Sequence, residues 1–416
     1  MTRPSLRTIT ASASLGLAAL AGVAIVASGE PQAMRKPPTV AAERLIAEGR
    51  QIFRFDTFGD EQLWTSVLRM HEVIATVSPE TALAKGLKVD VDALPADLVA
   101  LLAAGQVDLS DPAVTVELIR LNAVVGVRGT VSSTAQLTSV GITCALCHST
   151  VDNSFAPGIG KRLDGWANTD LDVGAIVSLS PALDDATKAE FNAWGAGKYD
   201  PRHHAFDGTS LIALNSPSLP VVLPSIYGLK GVGFETYSAD GPISYWNSYV
   251  GVGQMGGQGS FSDPRIELSI TQQPDLVTPK LPALLDYQLS LRTPMPPEGS
   301  FDRDAAKRGR QLFRGAAGCA ACHRAPAYTD VLSGPDESVP VLHDPAETGM
   351  DPAYAARTAT GRYRTTPLRG LWQHPPYFHD GSAPDLPAVV EHYDQWFGLD
   401  LSAAQKADLV EFLKSL

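Results

Sequence analysis

The sequence predicts a mainly α-helical protein built from two related units with long loops. The stretch GRQIFR at 49–54 recurs almost unchanged as GRQLFR at 309–314, which indicates an internal repeat. Several segments carry apolar residues at the spacing of amphipathic helices. The 31 prolines and 36 glycines among 416 residues indicate long, ordered loops between those helices.

The composition of the chain is that of a globular protein with an acidic balance. Hydrophobic residues make up 44% and charged residues 19% of the sequence, which is ordinary for a folded domain. The formal net charge is -12, so the composition argues against nucleic acids and anionic membrane surfaces as partners.

The N-terminus has the pattern of an export signal. Arg3 and Arg7 precede an apolar run at 15–27, and small residues around Ala27 suit a cleavage site. The alternative is an uncleaved membrane anchor, but the apolar run is shorter than the roughly 20 residues of a spanning helix. We therefore predict a signal peptide at 1–28 and a periplasmic location, with no membrane attachment unless the signal stays uncleaved.

The four cysteines all lie in two short motifs, CALCH at 144–148 and CAACH at 319–323. In an exported protein four cysteines would ordinarily suggest two disulfides. Here each pair is followed at once by a histidine, which is the attachment pattern of c-type haem. A shared zinc site is the alternative, but it would not require a histidine after each pair. The sequence thus predicts two covalently bound c-type haems, attached through the residues Cys144, Cys147, Cys319 and Cys322, with His148 and His323 as proximal iron ligands.

The first repeat reaches its motif only after an insertion at about 55–143. The segment 92–105 reads as a helix with Asp92 as its N-cap and Gly105 as its end. The segment 111–127 reads as a second helix with a proline in its first turn. We predict an N-terminal haem domain at 29–300 with this mostly helical insertion.

The C-terminal haem domain is predicted at 301–416. A helix around 303–315 opens it, and a final helix closes it with Ser402 and Gln405 as a capping box. Gly309 would let these two helices cross closely, against Phe412. Little of this domain reads as strand. A haem domain of this length between two helices has the scale of a small cytochrome c.

The stretch YRTTPLRGLWQHPPYFHDGSAPDLPAVVEHYD at 363–394 carries a family resemblance. It resembles the C-terminal haem domain of bacterial dihaem cytochrome c peroxidases and the related MauG-type enzymes. The match covers about 301–416. In the N-terminal half, LNSPSLPVVLPSIYGL at 214–229 is similar to the loop that follows the first haem in those proteins.

This resemblance implies how the two haems divide the work. The C-terminal haem would receive electrons from a small donor, a cytochrome or a cupredoxin, and the N-terminal haem would meet hydrogen peroxide or another small oxidant. Calcium is a further cofactor that the related peroxidases imply. The family has a tryptophan between the haems; at that place this chain has Tyr237, and Trp246 and Trp194 are alternatives.

The resemblance also implies candidates for the sixth iron ligands. On the second haem, Tyr393 stands where MauG-type enzymes have a tyrosine, and Met350 competes because a thioether suits a cytochrome haem. His379 is expected to support the haem edge by hydrogen bonding. His203 and His204 could reach the first haem, and a solvated pair of loop histidines is the alternative.

The stretch VGVGQMGGQG at 250–259 departs from the family. Gln254 falls where the peroxidases have a glutamate beside the open iron, and an amide cannot shuttle the proton that O–O cleavage needs. Another acid, Glu235 or Asp240, would have to supply it. Met255 could bind the first iron as its sixth ligand and close it to peroxide.

The sequence therefore predicts an exported dihaem cytochrome that transfers electrons, with peroxidase-like reduction of hydrogen peroxide by a reduced small cytochrome as its reaction. Two alternatives remain open. One is a pure electron carrier in which both irons are six-coordinate. The other is a MauG-type oxidase that acts on a protein or an organic substrate.

Overall fold

The computed structural model describes residues 39–332 and 340–416; the predicted signal peptide lies outside these ranges. The α-helices α1 to α15 are, in chain order, Val40–Phe55, Met70–Ile74, Pro79–Ala84, Ala96–Ala103, Pro112–Arg120, Ala145–His148, Val173–Val177, Asp185–Asn192, Ile243–Tyr249, Leu281–Ser290, Arg303–Arg314, Pro345–Thr348, Pro352–Ala356, Leu386–Phe397 and Ala403–Lys414. Within the described ranges, no helix combines the length and the apolar character that crossing a membrane requires.

The strands are short and pair two by two. Strands β1 to β14 are Val89–Asp90, Val127–Val131, Leu137–Ile142, Ser149–Val151, Ile159–Gly160, Arg162–Asp164, Lys198–Tyr199, His204–Phe206, Leu211–Ala213, Val221–Val222, Ser260–Asp263, Leu268–Thr271, Leu342–His343 and Tyr363–Arg364. The longest pair is the antiparallel hairpin β2–β3, whose register shifts between Thr130 and Val131. Because these pairs stay isolated and small, the prediction of a mainly α-helical chain is confirmed.

The two copies of the repeat form the same helix crossing. In the first, Gly49 on α1 lies so close to α10 that an added Cβ would stand 1.9 Å from the carbonyl oxygen of Ala283. In the second, Gly309 on α11 meets the carbonyl oxygen of Asp408 on α15 at the same 1.9 Å. Only glycine permits such an approach of two backbones. The predicted close crossing at Gly309 is confirmed, and Phe412 lies beside it.

The insertion is less helical than the sequence predicts. Helices α2 to α5 fill much of it, but the hairpin β2–β3 occupies its end. The N-cap prediction for Asp92 is wrong. The helix begins later, at Ala96 after Pro95, and Asp90 instead accepts a hydrogen bond from the backbone N–H of Asp92 to cap a short 3-10 turn. Proline disfavours the helical conformation of the residue before it, and Leu94 is extended, with φ -87° and ψ 138°.

The C-terminal helices follow the predicted signals closely. Ser402 and Gln405 form the predicted capping box at the start of α15. Helix α14 begins at Leu386 and continues for one turn beyond Tyr393 to Phe397, where Gly398 ends it with φ +59°. Positive φ at the residue after a helix is the usual role of glycine there. The extra turn places Phe397 on the same side as Tyr393.

Candidate functional site

The first cysteine motif lies on a single helical turn. Cys144 precedes α6, and His148 is its last residue. The imidazole Nδ1 of His148 is 2.9 Å from the carbonyl oxygen of Pro224. A carbonyl oxygen only accepts, so Nδ1 carries the proton and the lone pair of the neutral ring stands on Nε2. This is the tautomer that an iron ligand needs, and the Pro224 contact fixes its orientation.

The second motif repeats this arrangement. Cys319 begins a short 3-10 turn, and Nδ1 of His323 is 2.9 Å from the carbonyl oxygen of Tyr328. Burial lowers the pKa of both His148 and His323, so both rings are neutral at pH 7. Both therefore present an unprotonated Nε2 to a metal.

All four cysteines are free thiols in the structure. Burial raises the pKa of Cys144 and Cys147 to about 12 and that of Cys319 to about 11. Reactive redox cysteines have a lowered pKa and react as thiolates, so the environment of these motifs does not suit dithiol redox chemistry. Half-buried, neutral thiols beside a histidine suit the attachment of an apolar macrocycle better than they suit a zinc site.

A cavity of about 860 Å³ connects the two motifs. Its volume lies toward the upper end of the about 300–1,000 Å³ that cofactor sites usually occupy. Most of its lining is aliphatic or aromatic, and it includes all four cysteines, His148 and His323. The residues present therefore fit haem: thiols for attachment, an oriented imidazole for iron, and apolar walls for the ring.

Gln254 lies on the wall of this cavity, on the side of the first motif. It is buried at the end of a π-helical turn that follows α9. The hydroxyl of Tyr199 donates to Oε1 of Gln254 at 2.5 Å, and Nε2 of Gln254 donates to the hydroxyl of Tyr249 at 3.0 Å. The two tyrosines thus fix the amide in one orientation, which the sequence did not indicate.

Met255 also lines the cavity and is buried. Its carbonyl oxygen accepts a hydrogen bond from the indole of Trp64 at 3.0 Å. This contact holds the backbone of Met255 in place within the described site. Whether its thioether binds iron stays a prediction.

The two acids proposed as substitutes for a catalytic glutamate differ in position. Glu235 lines the cavity and pairs with Arg364 at 3.0 Å, while burial raises its pKa. Asp240 is not part of the cavity lining; it pairs with Arg202 and accepts from the backbone N–H of Ala359. Of the two, Glu235 is thus the acid that can face a ligand in this cavity.

Both candidates for the sixth ligand of the second iron reach the cavity beside the second motif. Tyr393 lies on α14, and burial, with the neighbouring Cys319 and Cys322, raises the pKa of its phenol to about 12. Its ring stacks on Phe397 with a centroid distance of 5.9 Å. Met350 lines the same cavity from the loop after α12. The geometry brings both side chains to the site, so the choice of Tyr393 stays a prediction.

The remaining histidine candidates take different positions. His379 lines the cavity among tyrosines, with its ring stacked 5.3 Å from that of Tyr237 and its Nε2 3.3 Å from the hydroxyl of Tyr363. His204 also lines the cavity. His203 does not line the cavity. Its two ring nitrogens instead contact the carbonyl oxygen of Ser216 and the carboxylate of Glu190, which do not line the cavity either.

The three aromatic residues considered between the haems, Tyr237, Trp246 and Trp194, all line the cavity. A further aromatic contact was not predicted: Trp166 and Trp372 meet edge to face at 5.7 Å. These two residues come from different halves of the chain. Single aromatic residues in loops carry no periodic signal, so their proximity could not be inferred from the sequence.

No protein-family model matches the chain. Among curated proteins, it is similar to the cytochrome-c peroxidase IdrP2 of Denitromonas iodatirespirans, with 32% identity over 151 residues, 29% of this chain and 41% of the relative. It is also similar to the methylamine utilization protein MauG of Methylorubrum extorquens, with 33% identity over 162 residues, 32% of this chain and 42% of the relative. The matched region is thus about two fifths of the length of each relative.

The resemblance to dihaem cytochrome c peroxidases and MauG is confirmed. The names of these relatives support haem as the cofactor and an oxidoreductase as the class of enzyme. The number of two haems stays a prediction from the motifs.

Two solved structures are also similar. One is described as a MauG-like protein associated with microbial copper homeostasis, with a TM-score of 0.36 and 20% identity over 52% of this chain and 77% of that chain. The other is the hydrazine synthase of Kuenenia stuttgartiensis, with a TM-score of 0.32 and 19% identity over 49% and 74%.

Proposed function

We propose that this chain is an exported dihaem c-type cytochrome that passes electrons from a reduced small cytochrome to hydrogen peroxide. One observation carries the proposal: two Cys-x-x-Cys-His motifs, each with its histidine oriented by a backbone carbonyl, open onto one apolar cavity. Haem held there supplies one-electron chemistry at iron. The relatives named above support a peroxidase-like reaction of this kind.

The residues of the chain set the rate of such a reaction through proton transfer. Peroxide reduction needs a group that takes a proton from one oxygen and delivers it to the other. Gln254, held by Tyr199 and Tyr249, can donate a hydrogen bond to a bound ligand but has no proton to exchange near pH 7. Glu235 lines the same cavity, but its pairing with Arg364 occupies its carboxylate. We therefore expect slow peroxide turnover.

Replacing the amide tests this proposal. In Gln254→Glu, a carboxylate stands where the related peroxidases have one, and general acid–base help is typically worth about 10²–10⁴-fold. We expect turnover of peroxide with a reduced small cytochrome to rise toward that range. The matched control is Gln288→Glu, since Gln288 is also buried and lines the cavity but has its amide paired with Asn247. That control should leave turnover unchanged.

Electron paramagnetic resonance of the purified holoprotein distinguishes the alternatives. A high-spin ferric signal that changes on addition of peroxide indicates an open iron and supports the proposal. Two low-spin haems that do not respond to peroxide, with no gain in Gln254→Glu, would establish a pure electron carrier. Fast turnover of the wild type that ignores the substitution would show that another group transfers the proton.

One observation favours a second function. Tyr393 lies half-buried beside the second motif, where the resemblance places a tyrosine in MauG-type enzymes. A phenolate ligand stabilises ferric iron and lowers its potential, which suits the oxidation of an organic or protein substrate more than the acceptance of electrons. Peroxide-dependent oxidation of an added phenol, without any cytochrome donor, is the measurement that would favour this oxidase.

A further inference from the structure

A group of three side chains outside the haem-attachment motifs has the composition of a metal site. Glu190 lies on α8, and His203 and His204 lie at the start of β8. Each of the three residues offers one atom that could bind a metal ion, and these three atoms all lie within 4.8 Å of one another. Glu190 is exposed, whereas both histidines are buried. The group therefore has a solvent-facing side through which an ion could enter.

The ring of His203 has acceptors on both sides. Its Nδ1 is 3.0 Å from the carbonyl oxygen of Ser216, and its Nε2 is 2.8 Å from Oε2 of Glu190. The Ser216 carbonyl requires the proton on Nδ1. In the neutral ring, the lone pair of Nε2 then faces a carboxylate oxygen, so a cation must lie between them: either a second proton or a metal ion. The contact to Ser216 is the kind of outer contact that orients metal-binding histidines.

His204 supplies a second, independent observation. It is only 9% exposed, and its Nδ1 is buried without a hydrogen-bond partner. A buried polar nitrogen without a partner is costly, and a bound metal ion would satisfy it. The rings of His203 and His204 are perpendicular, with centroids 4.4 Å apart.

We propose that Glu190, His203 and His204 bind one divalent transition-metal ion of the zinc class. Two imidazoles and one carboxylate are ligands that zinc accepts, and they are poor ligands for calcium or magnesium, which prefer oxygen. Three protein ligands leave a fourth position for water. None of the three residues belongs to a haem-attachment motif, although His204 also lines the cavity, and the proposal does not depend on the proposed function.

Isothermal titration of the chelator-treated holoprotein with zinc chloride tests the site. We expect one zinc ion per chain, while the iron content determined by mass spectrometry stays constant. Glu190→Gln and His203→Asn should each lower the affinity for zinc. Because each variant removes a metal ligand itself, the loss should exceed the about 10–100-fold that is typical when only a group hydrogen-bonded to a ligand is removed. The affinity should also fall at acidic pH, because protons compete with zinc for the imidazoles.

His71→Asn is the matched control. His71 also has a buried Nδ1 without a hydrogen-bond partner, but it is not part of a group that could hold a metal ion in the described ranges. This variant should bind zinc like the wild type. Zinc binding that survives both Glu190→Gln and His203→Asn, or no stoichiometric binding by the wild type, would overturn the proposal. Unchanged haem content and circular dichroism of each variant exclude misfolding as the cause.

Discussion

The two halves of the repeat agree in the parts that hold a cofactor and differ in the parts that face it. Gly49 and Gly309 form matching helix crossings, and His148 and His323 are oriented by carbonyl oxygens at the same 2.9 Å. The carbonyl for His148 comes from Pro224, 76 positions along the chain, whereas that for His323 comes from Tyr328, only 5 positions away. The same chemical support is thus built locally in one half and through tertiary contacts in the other.

The walls of the cavity differ more. Beside the first motif the polar groups are Gln254 with Tyr199 and Glu235, all from loops or short elements. Beside the second, Tyr393 extends from the regular helix α14. We infer that the helix crossing and the histidine motif are the common part of a haem-binding unit. The facing residues then give each unit its own chemistry.

The largest expected effect is loss of one whole cofactor. Replacing both cysteines of one motif by alanine, Cys144 with Cys147 or Cys319 with Cys322, removes both thioether bonds and should leave the mass of one haem. The wild-type chain should carry two. Denaturing mass spectrometry and haem staining measure this directly. A wild type with one haem, or haem that acid–acetone extracts, would contradict the equivalence of the two motifs.

Alanine at the glycine crossings should produce an effect of intermediate size. In Gly49→Ala and Gly309→Ala, the new methyl group would meet a backbone carbonyl at 1.9 Å, and overpacking of this kind costs about 1–3 kcal/mol. Alanine otherwise favours a helix by up to about 1 kcal/mol, so destabilisation shows that the clash dominates. Thermal unfolding followed by circular dichroism measures both variants.

Gly253→Ala is the control for these substitutions. Its added Cβ would meet only ordinary contacts at 3.6 Å or more, so this substitution should not destabilise the protein and should stabilise it by at most about 1 kcal/mol through helix propensity. Equal losses at Gly49 and Gly309 would support the same crossing in both units. A loss of stability in only one of the two variants would show that the two crossings, although alike in geometry, contribute differently to stability.

The smallest effect is expected from Tyr393→Phe, which removes a single oxygen atom. If the phenolate binds the second iron, the visible spectrum of one haem should lose its charge-transfer band while the other haem stays unchanged. Met350→Ala should then leave both spectra as in the wild type. The reverse result, a change in Met350→Ala and none in Tyr393→Phe, would transfer the role of ligand to Met350.

Features that depend on local chain chemistry were predictable. The capping box of Ser402 and Gln405 was correctly assigned because both residues lie within one helical turn. The close crossing at Gly309 was also correctly assigned, from a glycine inside a helical pattern, although its partner Asp408 lies far along the chain. The cap at Asp92 was assigned wrongly, since Pro95 shifts the start of the helix. The second predicted helix, 111–127, ends earlier than expected, at Arg120, and the hairpin β2–β3, of which it contained only Val127, was not predicted.

The sequence by itself determined the mainly helical class, the repeat and the chemistry of the two histidine motifs. These follow from residue types at fixed short spacings, where geometry is set by the backbone of a single turn. Tertiary structure alone decided which distant groups meet: Pro224 at His148, Tyr199 at Gln254, and Glu190 at His203. Such contacts depend on how loops close over the core, and one sequence carries no local signal for that closure.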